Sequence, residues 1–156
     1  MDNPKKLKSY FLQANSGFTL LELILVIATI TVLAGIAIPV YSLLQVKNDL
    51  DVATNTTLQT LRRTQTLSQA VDGDSSWGVK LQTSDITLFK GVSYSARDTN
   101  FDEVYTLSGN VTPTGVSEIV FSKLLGNPNT TGTVTLTSTN NETQNITIGS
   151  KGQLDY

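Results

Sequence analysis

Residues 18–40 read FTLLELILVIATITVLAGIAIPV, and this stretch decides the fold. It contains one charged residue, Glu22, and residues 23–40 contain none. A helix of about 18–23 residues is roughly 27–35 Å long, which matches the hydrocarbon core of a bilayer. Because no polar face recurs with the helical period, the stretch predicts a membrane-spanning helix. The alternative is a helix buried on all sides in a soluble protein, but one small domain cannot enclose such a helix.

The charges that flank the apolar stretch predict its orientation. Basic residues dominate before it and not after it: Lys5, Lys6, Lys8 and Asp2 precede it, and Lys47, Asp49 and Asp51 follow it. Since basic residues mark the cytoplasmic side, we expect a single-pass protein of the cytoplasmic membrane, with its N-terminus inside and residues 42–156 outside. Gly35 and Ala37 have the spacing of a signal peptidase site, but they lie inside the apolar run, so release is not expected.

A seven-residue run joins the basic leader to the apolar stretch: Gly17-Phe18-Thr19-Leu20-Leu21-Glu22-Leu23. It resembles the class III signal of bacterial type IV prepilins and type II secretion pseudopilins, in which glycine precedes an aromatic residue, Thr or Ser, two aliphatic residues and glutamate. The likeness covers residues 5–41 and includes Pro39. It implies that a membrane-embedded prepilin peptidase cleaves after Gly17 and methylates the new amino group of Phe18. Residues 1–17 would then be a leader peptide, and the chain would be the substrate of this chemistry.

Glu22 lies about one helical turn after Phe18. The helix dipole favours a carboxylate near a helix N-terminus, but an unpaired carboxylate within lipid costs roughly 3 kcal/mol. The resemblance implies that Glu22 pairs with the amino terminus of a neighbouring subunit and so takes part in filament assembly. The alternative is a glutamate whose carboxylate extends to the membrane interface.

A proline lies late in the apolar stretch. Pro39 removes one helical hydrogen bond and clashes with the carbonyl one turn back, and Gly35 lowers the local helix propensity. We therefore expect a helix kink near residues 34–36.

Residues 41–71 continue the helix with a different pattern. Apolar residues recur three or four positions apart and predict an amphipathic helix, although Thr57 and Thr64 interrupt its apolar stripe. Because threonine weakens a helix, packing must hold this part in place. We predict one long helix over residues 18–71, in which residues 18–40 lie in lipid or in a filament core and residues 41–71 pack on a sheet.

Residues 72–156 predict a β-rich globular domain. Residues 72–76, DGDSS, stop the helix, and residues 139–143 form a hairpin loop. The predicted strands are 77–82, 86–89, 92–94, 104–107, 111–112, 119–122, 132–137, 146–148 and 153–156. Where threonine alternates with aliphatic residues, we expect the threonines to face water and the aliphatic side chains to face the helix. The expected fold class is α+β, and the resemblance implies a pilin-like fold with the long helix packed on an antiparallel sheet.

The C-terminal part of the chain carries a second resemblance. Residues 119–122, 132–136 and 145–148, with Gly126 and Gly152, are similar to the tail of H-type minor pseudopilins and related minor pilins. The DNA-binding minor pilins rely on a basic C-terminal loop, whereas this tail offers only Lys123 and Lys151. The net charge of −2 also argues against phosphate binding, so no nucleic-acid partner is expected.

The composition argues against an enzyme. The chain has no Cys and no His, which removes thiolate chemistry, the usual general base and the usual zinc ligands. Asp98, Asn100 and Asp102 have the spacing of the first ligands of a calcium loop, but Glu103 stands where the turning glycine belongs. They are a weak metal candidate, a solvated acidic turn is the alternative, and no cofactor is expected.

Together these features predict a structural subunit of a type IV pilus or of a type II secretion pseudopilus. The expected partners are prepilin peptidase, other pilin or pseudopilin subunits, the inner-membrane assembly platform and, before assembly, membrane lipid. The alternative is a single-pass membrane protein whose β-domain senses or binds a ligand without polymerising.

Overall fold

The computed structural model describes residues 17–156, and for residues 36–39 it describes the backbone alone. The chain divides into two compact units, Met1–Ile38 and Pro39–Tyr156. The predicted leader lies outside the described residues except for its last residue, Gly17.

One long α-helix, α1, runs from Leu20 to Gln69. It confirms the predicted single helix to within two residues at each end. A 3-10 turn at Asp72–Asp74 follows α1, and Val71 and Asp74 have left-handed φ angles of 56° and 54°. The predicted helix stop at residues 72–76 is therefore correct.

Eight antiparallel strands follow the helix. They are β1 (Trp77–Leu81), β2 (Asp85–Lys90), β3 (Asp98–Thr106), β4 (Val111–Gly115), β5 (Glu118–Phe121), β6 (Gly132–Ser138), β7 (Thr143–Ile148) and β8 (Leu154–Asp155). They form two four-stranded sheets with the orders β3-β2-β1-β5 and β4-β6-β7-β8. The α+β class is confirmed, with two sheets in place of the single sheet that the sequence predicted.

Two predicted features of residues 92–103 are wrong. Residues 92–94 do not form a strand, because the chain makes a 3-10 turn at Tyr94–Ala96, whose N-cap Ser93 accepts a hydrogen bond from Ala96 N–H through its hydroxyl oxygen. The predicted acidic turn near Asp98 belongs to β3, which starts six residues earlier than predicted. Residues 99–102 bulge away from β2, since Lys90 pairs with Asp98 while Leu88 pairs with Glu103. A bulged edge strand needs no apolar alternation, so its polar sequence resembles a turn.

The second part of α1 packs into the core of the Pro39–Tyr156 unit. Leu50, Leu58 and Leu61 are at most 2% exposed. They share one apolar cluster with residues of both sheets, such as Phe121 and Ile146. Burial of each such side chain stabilises the fold by about 1.5–3 kcal/mol, so the two sheets and this part of α1 form one core.

The buried face of α1 is rich in hydroxyl groups. Thr57 and Thr64, which interrupt the apolar stripe, are fully buried. Their hydroxyls donate hydrogen bonds to the carbonyl oxygens four residues earlier, Ala53 O at 2.7 Å and Thr60 O at 2.6 Å. Because each hydroxyl is satisfied within the helix, its burial leaves no unpaired polar atom.

Ser68 and Trp77 join the end of α1 to the first sheet. The Ser68 hydroxyl accepts a hydrogen bond of 3.0 Å from the Trp77 backbone N–H. The Trp77 indole N–H donates to Asp72 O at 3.0 Å, and its ring meets the edge of Phe101 with centroids 6.1 Å apart. These contacts fix the direction in which the chain leaves the helix.

Candidate functional site

The predicted cleavage junction lies outside the helix. Gly17, Phe18 and Thr19 have no regular secondary structure, and α1 begins at the next residue. Phe18 is 85% exposed. Among residues 17–156, a Cβ atom built on Gly17 would meet no atom within 4 Å, so this part of the fold does not require glycine there.

Thr19 caps the N-terminus of α1. Its hydroxyl oxygen accepts a hydrogen bond of 3.2 Å from the backbone N–H of Glu22, and its carbonyl accepts one of 3.1 Å from Leu23 N–H. Thr19 and Glu22 therefore have the Thr-x-x-Glu spacing of a capping box, a signal that our sequence analysis missed. The cap satisfies one of the backbone N–H groups that the first turn of every helix leaves unpaired. An unpaired N–H group is most costly in lipid, where no water can bind it.

Glu22 lies in the first turn of α1 and is exposed. Within residues 17–156 its carboxylate forms neither an ion pair nor a hydrogen bond. Within residues 17–156, therefore, no cation neutralises this carboxylate of the apolar helix.

The apolar part of α1 has no covering layer in the described chain. The large apolar side chains from Leu20 to Leu33 are between 44% and 75% exposed. This helix is long and apolar enough to span a membrane, by length and composition. Its two central hydroxyls are satisfied internally, because Thr29 donates to Val26 O at 2.8 Å and Thr31 to Ile27 O at 2.6 Å. The segment thus presents an almost wholly apolar surface.

The predicted kink stays a prediction. Gly35 has no neighbour within 4 Å of a built Cβ, and the helix is continuous through residues 34–40. The side chain of Pro39 lies outside the described residues.

The weak metal candidate lies on β3, where other groups bind its carboxylates. Asp98 Oδ1 accepts hydrogen bonds from the backbone and side-chain N–H groups of Asn100, at 3.1 and 2.9 Å. Asp102 Oδ2 accepts one of 2.8 Å from Arg97, and this bond raises the pKa of the Arg97 guanidinium. In the described part of the chain no three acidic side chains converge on one point. The calcium hypothesis therefore remains a prediction. The Arg97 guanidinium already neutralises Asp102, one of the proposed ligands.

One surface cleft of about 310 Å³ lies beside β5. It is lined by the apolar side chains of Val92, Val120 and Pro128 and by serine and asparagine side chains. None of its lining residues is titratable, so this cleft offers no acid–base pair.

Comparison of the chain with models of known protein families, with curated proteins and with solved structures gives no significant match. The candidate site is therefore defined by its residues: the Gly17–Phe18 junction outside the helix, a capped helix start, Glu22 without a side-chain partner among residues 17–156, and an apolar helix that these residues leave exposed.

Proposed function

We propose that this chain is a structural subunit of a type IV pilus or of a type II secretion pseudopilus, with a pilin-like fold and a non-catalytic role. The observation that carries the proposal is the junction of Gly17 and Phe18 with a capped apolar helix, which residues 17–156 leave exposed and in which the Glu22 carboxylate has no partner among those residues. The similarity of residues 119–152 to H-type minor pseudopilins suggests that the chain is a minor subunit.

In this proposal the apolar helix first spans the cytoplasmic membrane, with residues 42–156 outside. Prepilin peptidase cleaves after Gly17 and methylates the amino group of Phe18. The assembly platform then moves the helix from lipid into a bundle of neighbouring helices. Lipid tails are as apolar as leucine, so this transfer gains little hydrophobic free energy, and close packing and polar pairing must drive it.

Pairing of Glu22 supplies the specificity of that transfer. Before cleavage, Phe18 carries no α-amino group, so its nitrogen is part of a peptide bond and offers no charge. Cleavage creates a cation one turn from Glu22 on each subunit. A carboxylate buried alone in the apolar core is strongly unfavourable, and an ammonium that meets it there offsets part of that cost, which makes assembly depend on processing.

The first test is the intact mass and N-terminal sequence of the chain after co-expression with a prepilin peptidase. We expect a mature chain that begins with methylated Phe18, and an unprocessed chain when the peptidase is catalytically inactive. A chain that keeps Met1 beside an active peptidase would overturn the proposal and favour the membrane-anchored sensor.

The second test separates assembly from processing. We expect the Glu22→Gln and Glu22→Ala chains to be cleaved normally. We expect neither of them to be incorporated into filaments. Glu142→Ala changes an exposed glutamate of the β6–β7 hairpin and should incorporate normally. Normal incorporation of Glu22→Ala would contradict the proposed role of the carboxylate.

A further inference from the structure

The first turn of α1 leaves the predicted cleavage junction free of helical hydrogen bonds. The first backbone bond of the helix runs from Leu23 N–H to Thr19 O, at 3.1 Å. Within residues 17–156 the carbonyl oxygens of Gly17 and Phe18 accept no hydrogen bond, and both residues lack regular secondary structure. The backbone on both sides of the Gly17–Phe18 peptide bond therefore lies outside the helix.

One backbone donor decides where the helix starts. If the helix extended upstream, the Glu22 N–H would donate to the carbonyl oxygen four residues earlier, which is that of Phe18. In the structure the same N–H donates to the Thr19 hydroxyl at 3.2 Å. Because Glu22 has a single backbone N–H, the cap and the upstream extension compete for one donor.

Steric contacts do not set this start among the described residues. The Phe18 side chain is 85% exposed, and a Cβ atom built on Gly17 meets nothing within 4 Å among residues 17–156. Phenylalanine also has an ordinary helix propensity. The hydroxyl of Thr19 is thus the group in this segment that favours a start at Leu20 over an earlier one.

We infer that Thr19 is a positioning residue for cleavage, because its cap keeps residues 17–19 extended for prepilin peptidase. The inference rests on the proposed function, since it concerns the same cleavage after Gly17. Proteins that bind a peptide through its backbone commonly pair with it as an extended strand, which a helical segment cannot provide. In the cleavage, water adds to the Gly17 carbonyl carbon, the C–N bond breaks, and the products are a Gly17 carboxyl group and a Phe18 amino group. The Thr19 hydroxyl acts on Glu22 N–H and on none of these atoms.

Loss of the cap changes the population of the extended segment and leaves the chemical step unchanged. Without the hydroxyl, Glu22 N–H has Phe18 O as its alternative partner, and in lipid no water competes for it. The upstream start lies above the capped start in free energy, because the natural chain adopts the capped one, so the first turn of such a variant also opens more readily. Only extended chains bind the peptidase, so the apparent dissociation constant rises in inverse proportion to their fraction.

The test measures the cleavage of full-length variants by prepilin peptidase in detergent micelles, with initial rates at several substrate concentrations. Thr19→Val keeps the shape of the side chain and removes the hydroxyl. We expect its KM to be about fivefold higher at an unchanged kcat, since that factor corresponds to the loss of one typical cap. Thr31→Val is the matched control and should change neither constant, because the Thr31 hydroxyl caps nothing.

Asparagine separates the cap from direct recognition of the threonine side chain. It differs from threonine in shape and is at least as good an N-cap, so Thr19→Asn should be cleaved with the natural KM, as should Thr19→Ser. The carbonyl ¹³C chemical shift of labelled Phe18 reports the conformation without the enzyme. We expect it to move toward the helical value in Thr19→Val and to stay unchanged in Thr19→Asn.

The outcomes separate this inference from the proposed function. Cleavage of Thr19→Val with the natural KM and kcat, or cleavage of Thr19→Asn as poor as that of Thr19→Val, would overturn the positioning role and leave the proposed function standing. A lower kcat at an unchanged KM would also overturn it, because the hydroxyl would then act in the chemical step. A natural chain that an active peptidase does not cleave would overturn both.

Discussion

Two stretches of α1 use their side chains in opposite ways. Residues 20–33 expose leucine, isoleucine and valine, whereas residues 50–68 bury a face in which threonine and serine, at five positions, outnumber leucine, at three. Within residues 17–156 the apolar stretch is not covered, whereas the polar stretch packs on two sheets. The difference teaches that a side chain is buried only where other parts of the chain pack on it. The most apolar part of a sequence can therefore stay exposed in the single chain and be available to lipid or to another subunit.

The largest expected effect is a difference in the free energy of unfolding between two leucine substitutions, one in each stretch. Leu61→Ala removes a fully buried side chain and should lower the free energy of unfolding by about 2–5 kcal/mol. Leu25→Ala removes a side chain that is 61% exposed and should change it by less than about 0.5 kcal/mol. Denaturant unfolding in detergent, followed by circular dichroism, measures both. Equal effects would mean that residues 20–33 unfold together with the β-domain.

The next effect concerns the start of the apolar stretch. Thr19→Val removes the cap while it keeps the shape of the side chain, and the lost hydrogen bond should cost about 1 kcal/mol. Amide hydrogen exchange of residues 20–23 in micelles should therefore accelerate by about fivefold. Thr31→Val is the matched control, because the Thr31 hydroxyl donates to Ile27 O within the helix and caps nothing. Unchanged exchange in Thr19→Val would refute the capping role.

A smaller effect should come from the hydroxyls of the buried stretch. Thr64→Val replaces a buried hydroxyl that binds a carbonyl already paired within the helix, so no polar atom loses its only partner. We expect the free energy of unfolding to rise by about 0.5 kcal/mol, since apolar burial increases and Thr and Val have similar helix propensities. Thr66→Val changes an exposed threonine with the same hydrogen bond pattern and should have no effect. A clear loss of stability in Thr64→Val would show that these hydroxyls hold the helix.

The smallest expected effect is a pH dependence at the boundary between the two stretches. Asp49 accepts hydrogen bonds from Asn110 Nδ2 at 2.7 Å and Ser108 Oγ at 2.8 Å, and these bonds lower the pKa of its carboxyl. A lowered pKa in the folded state gives stability that is present above the unfolded pKa of about 3.9 and is lost as the pH falls through the folded pKa. Denaturant unfolding of Asp49→Asn between pH 6 and pH 3 should show a weaker loss of stability than the natural chain. Identical pH profiles would show that Asp49 contributes nothing there.

The elements in which apolar residues follow a regular pattern were predictable from the sequence. The long helix is confirmed because its first part is continuously apolar and its second part repeats every three or four residues. Strands β6 and β7 are confirmed because aliphatic and polar residues alternate there, and Val134, Leu136, Ile146 and Ile148 are indeed buried between exposed or half-exposed threonines.

The remaining features depend on tertiary contacts that leave little trace in sequence. The bulged part of β3 pairs through its backbone, so Asp98 and Asn100 look like a turn. Thr57 and Thr64 interrupt the apolar stripe of the sequence. Their burial depends on hydrogen bonds from their hydroxyls to the helix backbone, which the sequence pattern does not reveal. At the candidate site, the order of residues along the chain singled out Gly17, Phe18 and Glu22. The cap by Thr19 could be identified only when the first residue of the helix was known.

The single tryptophan gives this fold an intrinsic optical reporter. Trp77 is 5% exposed, and its backbone N–H donates to the Ser68 hydroxyl, while the Ser68 carbonyl oxygen accepts a hydrogen bond from Leu124 N–H. All indole fluorescence of the chain therefore arises beside the joint that Ser68 forms between the end of α1, the start of β1 and Leu124. Its emission should be that of a shielded indole, and its intensity and quenching will follow any rearrangement of that joint without a chemical label, in lipid and in a filament alike.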